Sequence, residues 1–182
     1  MNYNEFVTFT DKILQQYFRP TKNLSISDWS AEHVFLPNGT SASAGKWKTI
    51  SYQHGVFDAI EDTKVIKVTL MWGAQLGKTA LLNNTIGHYI DHQPESQIMM
   101  QPSESDLKVW LETKFNPMVD YSNSVRNALA KPRGRDGVNN QKMKSYKGGF
   151  LMFAWSGSPN TMRGRSAPKI YCDEVDAYER SA

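Results

Sequence analysis

The chain has one cysteine, Cys172, among its 182 residues. An internal disulfide is therefore excluded, as is a zinc site built from cysteines. No apolar run approaches the ~20 residues that a membrane-spanning helix needs. The opening MNYNEFVTF has no basic stretch leading into an apolar core, so no secretory signal is visible. These absences point to the cytoplasm. Charge of one sign is also scarce: the net value is +3, compatible with nucleic acid but no argument for it. There are no internal repeats, and only the loop at 38–46, NGTSASAGK, is compositionally simple. The length suits one domain with an ordinary core.

What is present is an α/β pattern. Phe6, Phe9, Ile13, Leu14 and Tyr17 recur at helical spacing, which predicts an amphipathic helix over 4–18, stopped by Arg19-Pro20. A short helix is expected at 27–34, capped by Ser27 or Asp28 with Trp29 as a core anchor. A helix is expected over 53–61, a buried strand over 65–71 and a helix over 78–91. A second strand follows at 97–101. Ser103 with Asp106 resembles a capping box that opens the next helix. That helix shows Leu107, Trp110, Leu111 and Phe115 on one face, and Pro117 is expected to break it before a further helix to about residue 130. Residues 131–147 concentrate Lys131, Arg133, Arg135, Lys142, Lys144 and Lys147 against Asp136. The stretch reads either as a solvated loop or as a contact to DNA phosphates. Its second half predicts a hairpin closing on a strand at 150–154, and a last strand is expected at 169–172.

Two stretches carry chemistry. Residues 65–79, VIKVTLMWGAQLGKT, run from β-favouring residues through a turn into Gly77-Lys78-Thr79 and a helix. A strand, loop and helix in this order form a phosphate cradle, because backbone N–H groups and a helix N-terminus converge on an anion. Gly73, Ala74, Gln75, Leu76 and Gly77 would form the loop. Lys78 would neutralise the β- and γ-phosphates, and Thr79 would offer its hydroxyl to Mg2+. Trp72 stands where the common pattern has glycine, and glycine comes one residue later. The second stretch is 170–174, an apolar strand ending in Asp173-Glu174. There Asp173 would order the shell of Mg2+, and Glu174 would polarise the attacking water of an ATP hydrolase. Upstream, Tyr52 and Gln53 offer a ring to stack on adenine and an amide for its edge.

The residues quoted so far, with others in the same order, resemble the large terminase subunit of tailed bacteriophages, closest to the lambda-type (GpA-like) branch. The matching elements are Trp29-Ser-Ala-Glu, Gly45-Lys-Trp47, Tyr52-Gln53 and Gly73-Ala-Gln-Leu-Gly-Lys-Thr79. They continue with Gln101-Pro-Ser-Glu-Ser-Asp106, Ser158-Pro-Asn-Thr-Met-Arg-Gly-Arg165 and Cys172-Asp-Glu-Val-Asp176. The resemblance implies a RecA-like P-loop ATPase, with a mainly parallel sheet flanked by helices, that moves double-stranded DNA. It also implies a small terminase subunit, a portal and procapsid, and a homo-oligomer as partners, in the host cytoplasm and with no membrane. Some terminases carry an arginine in the loop where this chain has Ala74. A charge-stabilising arginine would then come from Arg163 or Arg165, or from a neighbouring subunit; salt bridges pinning a loop are the plainer reading of those two.

The expected organisation is a helical appendage at 1–46 and a partial ATPase domain at 47–182. Terminase large subunits resemble an ATPase followed by an RNase H-like nuclease, and no nuclease cluster can be assigned here. In RecA-like sheets a further strand, which senses hydrolysis, inserts between the Asp-Glu strand and the phosphate-loop strand. The expectation is therefore a truncated sheet with a central gap, which only the 150–154 strand is placed to fill. The rivals are a helicase-like ATPase and a prophage remnant that binds nucleotide or DNA without turnover.

Overall fold

The computed structural model describes residues 7, 23–36, 44–129, 142–158 and 166–178. The helix expected over 4–18, most of the loop at 38–46 and the basic residues at 131–141 lie outside the described residues.

Helix α1 (Ile26–His33) starts at Ser25, whose hydroxyl accepts from the Asp28 backbone N–H. The cap is therefore two residues earlier than expected, and Asp28 sits in the first turn, where its charge suits the helix dipole. Trp29 is fully buried, and its indole N–H donates to Asp91 at 2.8 Å. Strands β1 (Phe35–Leu36) and β2 (Gly45–Lys46) form a two-stranded antiparallel ribbon. Helix α2 (Ser51–Glu61) and the long helix α3 (Lys78–Asp91) follow. Gly87 lets α3 approach α1, since a Cβ there would lie 2.6 Å from the Trp29 ring.

The central sheet has the order β4-β5-β3-β6, from β3 (Gln97–Gln101), β4 (Met143–Tyr146), β5 (Gly149–Trp155) and β6 (Lys169–Cys172). Strand β3 runs parallel to both β5 and β6, and only the β4–β5 hairpin is antiparallel. The mainly parallel sheet expected from the sequence is present. One face presents Met99, Leu151, Phe153 and Tyr171 to a core shared with Trp29, Ile86, Ile90, Trp110 and Phe115. The other face holds a smaller cluster of Ile98, Met152 and Ala154.

Three expectations need correction. First, Pro117 does not end its helix. Helix α4 (Glu104–Trp110) passes through a π-helical turn (Leu111–Phe115) into α5 (Asn116–Tyr121), with α6 (Asn123–Ala128) after it. The widened turn absorbs a residue that lacks an N–H and crowds the preceding turn. Second, residues 65–71 form no strand. Ile66 and Met71 are almost fully exposed, and no described residue pairs with this segment. β-Propensity expresses fit to a sheet, so it yields a strand only where a partner edge is in reach. Third, the 150–154 strand does not fill the gap beside β6. It lies on the opposite side of β3, held there by its hairpin with β4.

Candidate nucleotide site

The carboxyl ends of parallel strands are where open α/β sheets bind ligands, and this end gathers the residues singled out in the sequence. Helix α3 begins at Gly77, which adopts φ 84 and offers no side-chain cap. Its first backbone N–H groups therefore point outward without side-chain acceptors, the arrangement that favours an anion. Gln75 is also left-handed, at φ 60. Lys78 Nζ donates to the Trp72 carbonyl at 2.9 Å and to that of Gly73 at 3.3 Å, so the ammonium spans the start of the loop. Gly73, Ala74 and Gln75 are exposed along it.

The first turn of α2 supports the loop from behind. The Tyr52 hydroxyl donates to the Leu76 carbonyl at 3.2 Å, and its ring meets Trp72 edge-on with centroids 5.2 Å apart. Trp72, which breaks the glycine pattern, is thus a packing partner of Tyr52. This contact was not read from the sequence; the tryptophan at a glycine position was its one visible signal. Gln53 is 1% exposed, and its side-chain carbonyl accepts from Ile50 N–H at 3.1 Å. Its amide nitrogen would lie 3.0 Å from a Cβ on residue 77, a tight approach, and the φ of 84 is what favours glycine there. Tyr52 is 46% exposed, so part of its ring remains open to solvent.

Across from the loop, β6 delivers Asp173. The Asp173 N–H bonds to the Met100 carbonyl at 3.1 Å, which continues the ladder one residue past Cys172. Its carboxylate lies 3.5 Å from the Thr79 hydroxyl, a contact between residues 94 apart in sequence. Glu174 follows in a left-handed conformation, φ 48, with its N–H donating to the Asp173 carboxylate at 3.2 Å and its side chain exposed. A short 3-10 turn (Val175–Ala177) then brings the Tyr178 hydroxyl onto the Met100 carbonyl at 2.9 Å. Burial, and then the neighbouring Cys172 thiol, raise the Tyr178 phenol above its usual range, so it stays a donor at neutral pH. Non-glycine residues in this region of φ cost roughly 1–3 kcal/mol each and tend to cluster at functional sites. Gln75 and Glu174 flank the Thr79–Asp173 contact. Arg163 and Arg165 lie outside the described residues.

The donor set is oxygen only, one hydroxyl and one carboxylate. No group of three or more His, Cys, Asp or Glu that could hold a metal occurs among the described residues. That suits Mg2+, which takes one or two protein oxygens and completes its shell with water and phosphate. It does not suit a caged transition metal.

Residues 41–182 match the family model of the phage terminase large subunit gpA, ATPase domain, and the chain belongs to that family. It is 23% identical over 158 residues to the terminase large subunit of Enterobacteria phage P21, covering 86% of this chain and 24% of that protein. It is 22% identical over 168 residues to the terminase large subunit of Escherichia phage lambda, covering 91% and 26% respectively. The chain thus spans about a quarter of the length of these relatives. No helix of the described residues is long and apolar enough to cross a membrane.

Proposed function

We propose that this chain is the ATP-hydrolysing portion of a terminase motor that drives double-stranded DNA into a procapsid. The observation that carries the reading is the 3.5 Å approach of Thr79, at the start of α3, to Asp173, at the end of β6. A RecA-like P-loop arrangement is the fold reading that goes with it. Gly73, Ala74, Gln75, Leu76 and Gly77 wrap the phosphates with backbone N–H groups. Lys78 swings from the Trp72 and Gly73 carbonyls onto the β- and γ-phosphates. Thr79 and Asp173 hold Mg2+, which supplies charge compensation at the phosphates when bound. Glu174 orients a water in line with the γ-phosphate and takes up its proton. The open face of Tyr52 stacks on adenine. Because the Gln53 carbonyl is engaged by Ile50, Gln53 contributes through its amide nitrogen and by shaping Gly77.

Arg163, Arg165 or an arginine of a neighbouring subunit would stabilise the charge that develops on the γ-phosphate. The basic residues at 131–147 would contact DNA phosphates. A small terminase subunit, the portal and procapsid, and further copies of the protein are the proposed partners, in the host cytoplasm. The outer margin of β6, unpaired among the described residues, favours a second reading, in which the chain binds nucleotide without turning it over. Glu174→Gln tests both. It should keep ATP affinity within about threefold and lose steady-state hydrolysis by on the order of 100-fold or more. Loss of binding and turnover together would mark Glu174 as structural, and binding without hydrolysis by the unaltered chain would establish the second reading.

A further inference from the structure

Strand β3 carries a glutamine at each end, and the two are used differently. Both side chains lie on the face covered by α3, since they are four residues apart on a strand of period two. Gln97, at the amino end, donates through its amide nitrogen to the Ile86 carbonyl at 3.3 Å and to the Tyr146 hydroxyl at 2.9 Å, while its side-chain oxygen has no partner among the described residues. Gln101, at the carboxyl end, is 4% exposed, yet its amide nitrogen has no hydrogen-bond partner among the described residues. A buried donor left unpaired costs about 1–3 kcal/mol, and a methionine would fill the same space without that cost.

The register shows where this donor stands. Met100 is opposite Cys172, and the ladder continues through Asp173 N–H to Met100, so Gln101 lies opposite Asp173 on the adjacent strand. Opposed residues on neighbouring strands share a face and sit roughly 5 Å apart. Gln101 therefore stands beside the carboxylate that meets Thr79. On its other side it pairs with Trp155 of β5, and the Ser156 N–H takes its backbone carbonyl at 3.0 Å, which fixes the strand end. The backbone at this position is satisfied; the side-chain amide is what has no partner.

Resting on the nucleotide-site reading above, we propose that Gln101 is a substrate-contacting residue whose amide N–H donates to an oxygen of the γ-phosphate. Its place opposite Asp173, the carboxylate that meets Thr79, is what assigns it to the phosphates. It distinguishes triphosphate from diphosphate.

The test compares Gln101→Met and Gln97→Met in the whole chain. Binding of Mg–ADP and of an ATP analogue with an imido β–γ bridge is measured for each. Gln101→Met should weaken the analogue about tenfold, the worth of one hydrogen bond to a charged group, and leave ADP within twofold. Gln101→Glu, which replaces the donor by an anionic acceptor, should weaken the analogue further and serves if the methionine variant does not fold. Gln97→Met should lower thermal stability and leave the ratio of the two affinities unchanged. Equal weakening of both nucleotides by the Gln101 variants, or no change in either, overturns the proposal while the nucleotide site stands. Failure of the unaltered chain to bind either nucleotide overturns the site reading and this proposal with it.

Discussion

The two ends of the central sheet are built on opposite terms. At the amino end the close contacts serve packing, although the Gln97 side-chain oxygen and His88 Nδ1 have no partner among the described residues. Gln97 is fully buried and anchored on Tyr146, whose hydroxyl also lies within hydrogen-bond reach of the Glu95 and Phe150 carbonyls. The hairpin turn presses against the chain before β3, and a Cβ at Gly149 would lie 2.8 Å from the Glu95 backbone. His88, near the far end of α3, bonds the Leu24 carbonyl at 3.0 Å, and His92 accepts from Leu24 N–H at 2.8 Å. At the carboxyl end the chain instead holds strained, exposed or unpartnered groups: Gln75, Glu174 and the Gln101 amide. Close packing is seen at the first end, and left-handed non-glycine backbone at the second.

Changes at the two ends should therefore separate function from stability. The largest effect is expected at Lys78. Lys78→Ala should reduce ATP hydrolysis by more than about 100-fold with little change in thermal unfolding, since among the described residues the side chain bonds two loop carbonyls. Near-normal turnover would remove Lys78 from the site. At the amino end, Gly149→Ala should destabilise by about 1–3 kcal/mol, because its Cβ meets backbone that cannot swing aside. Nucleotide affinity of the folded fraction should stay unchanged, and a change would show that the two ends are coupled.

The next effect is a pH slope. His88 is pushed down from 6.5 to about 4, chiefly by burial, and also by His92 and Lys169; the bond to Leu24 and the Asp91 charge oppose this. The unfolded chain therefore takes up a proton that the folded chain refuses until pH 4. Stability is full above about 6.5 and falls as pH drops toward 4. About 2 kcal/mol should be lost between pH 7 and pH 5, read from urea midpoints. His88→Gln should flatten that slope, and an unchanged slope would assign it elsewhere. The smallest effect is Tyr146→Phe. It leaves the Gln97 amide short of an acceptor and should cost about 1 kcal/mol, with no change in nucleotide affinity. A loss of affinity in that variant would break the division between the two ends.

Much of this was legible in the chain because it is local. The capping pair Ser103 and Asp106 stands as expected, with the Ser103 hydroxyl accepting from Asp106 N–H at 3.1 Å. The face of Leu107, Trp110, Leu111 and Phe115 is buried, and α3 spans 78–91 as its pattern required. Both halves of the candidate site were also visible, since each is a short motif at the end of a recognisable element. That Thr79 and Asp173 meet was an inference from order along the chain, and the fold is what brings them within 3.5 Å.

The cap at Ser25 and the π-helical turn before Pro117 were local misreadings, and the two errors in the sheet were non-local. A run such as VIKVTLM favours extended backbone, but a strand exists only when another edge supplies its hydrogen bonds, and that depends on the sheet order. The same order put β5 on the far side of β3 from the place expected of it. The two glutamines of β3 were alike in sequence. Their difference in use comes from what each strand end faces, Tyr146 at one and Asp173 at the other. Residue identity and spacing, acting within a few turns of chain, determined where the helices lie to within a few residues and the chemistry on offer. Partnering across the sheet, which depends on contacts between distant residues, decided which groups are satisfied and which remain free to act.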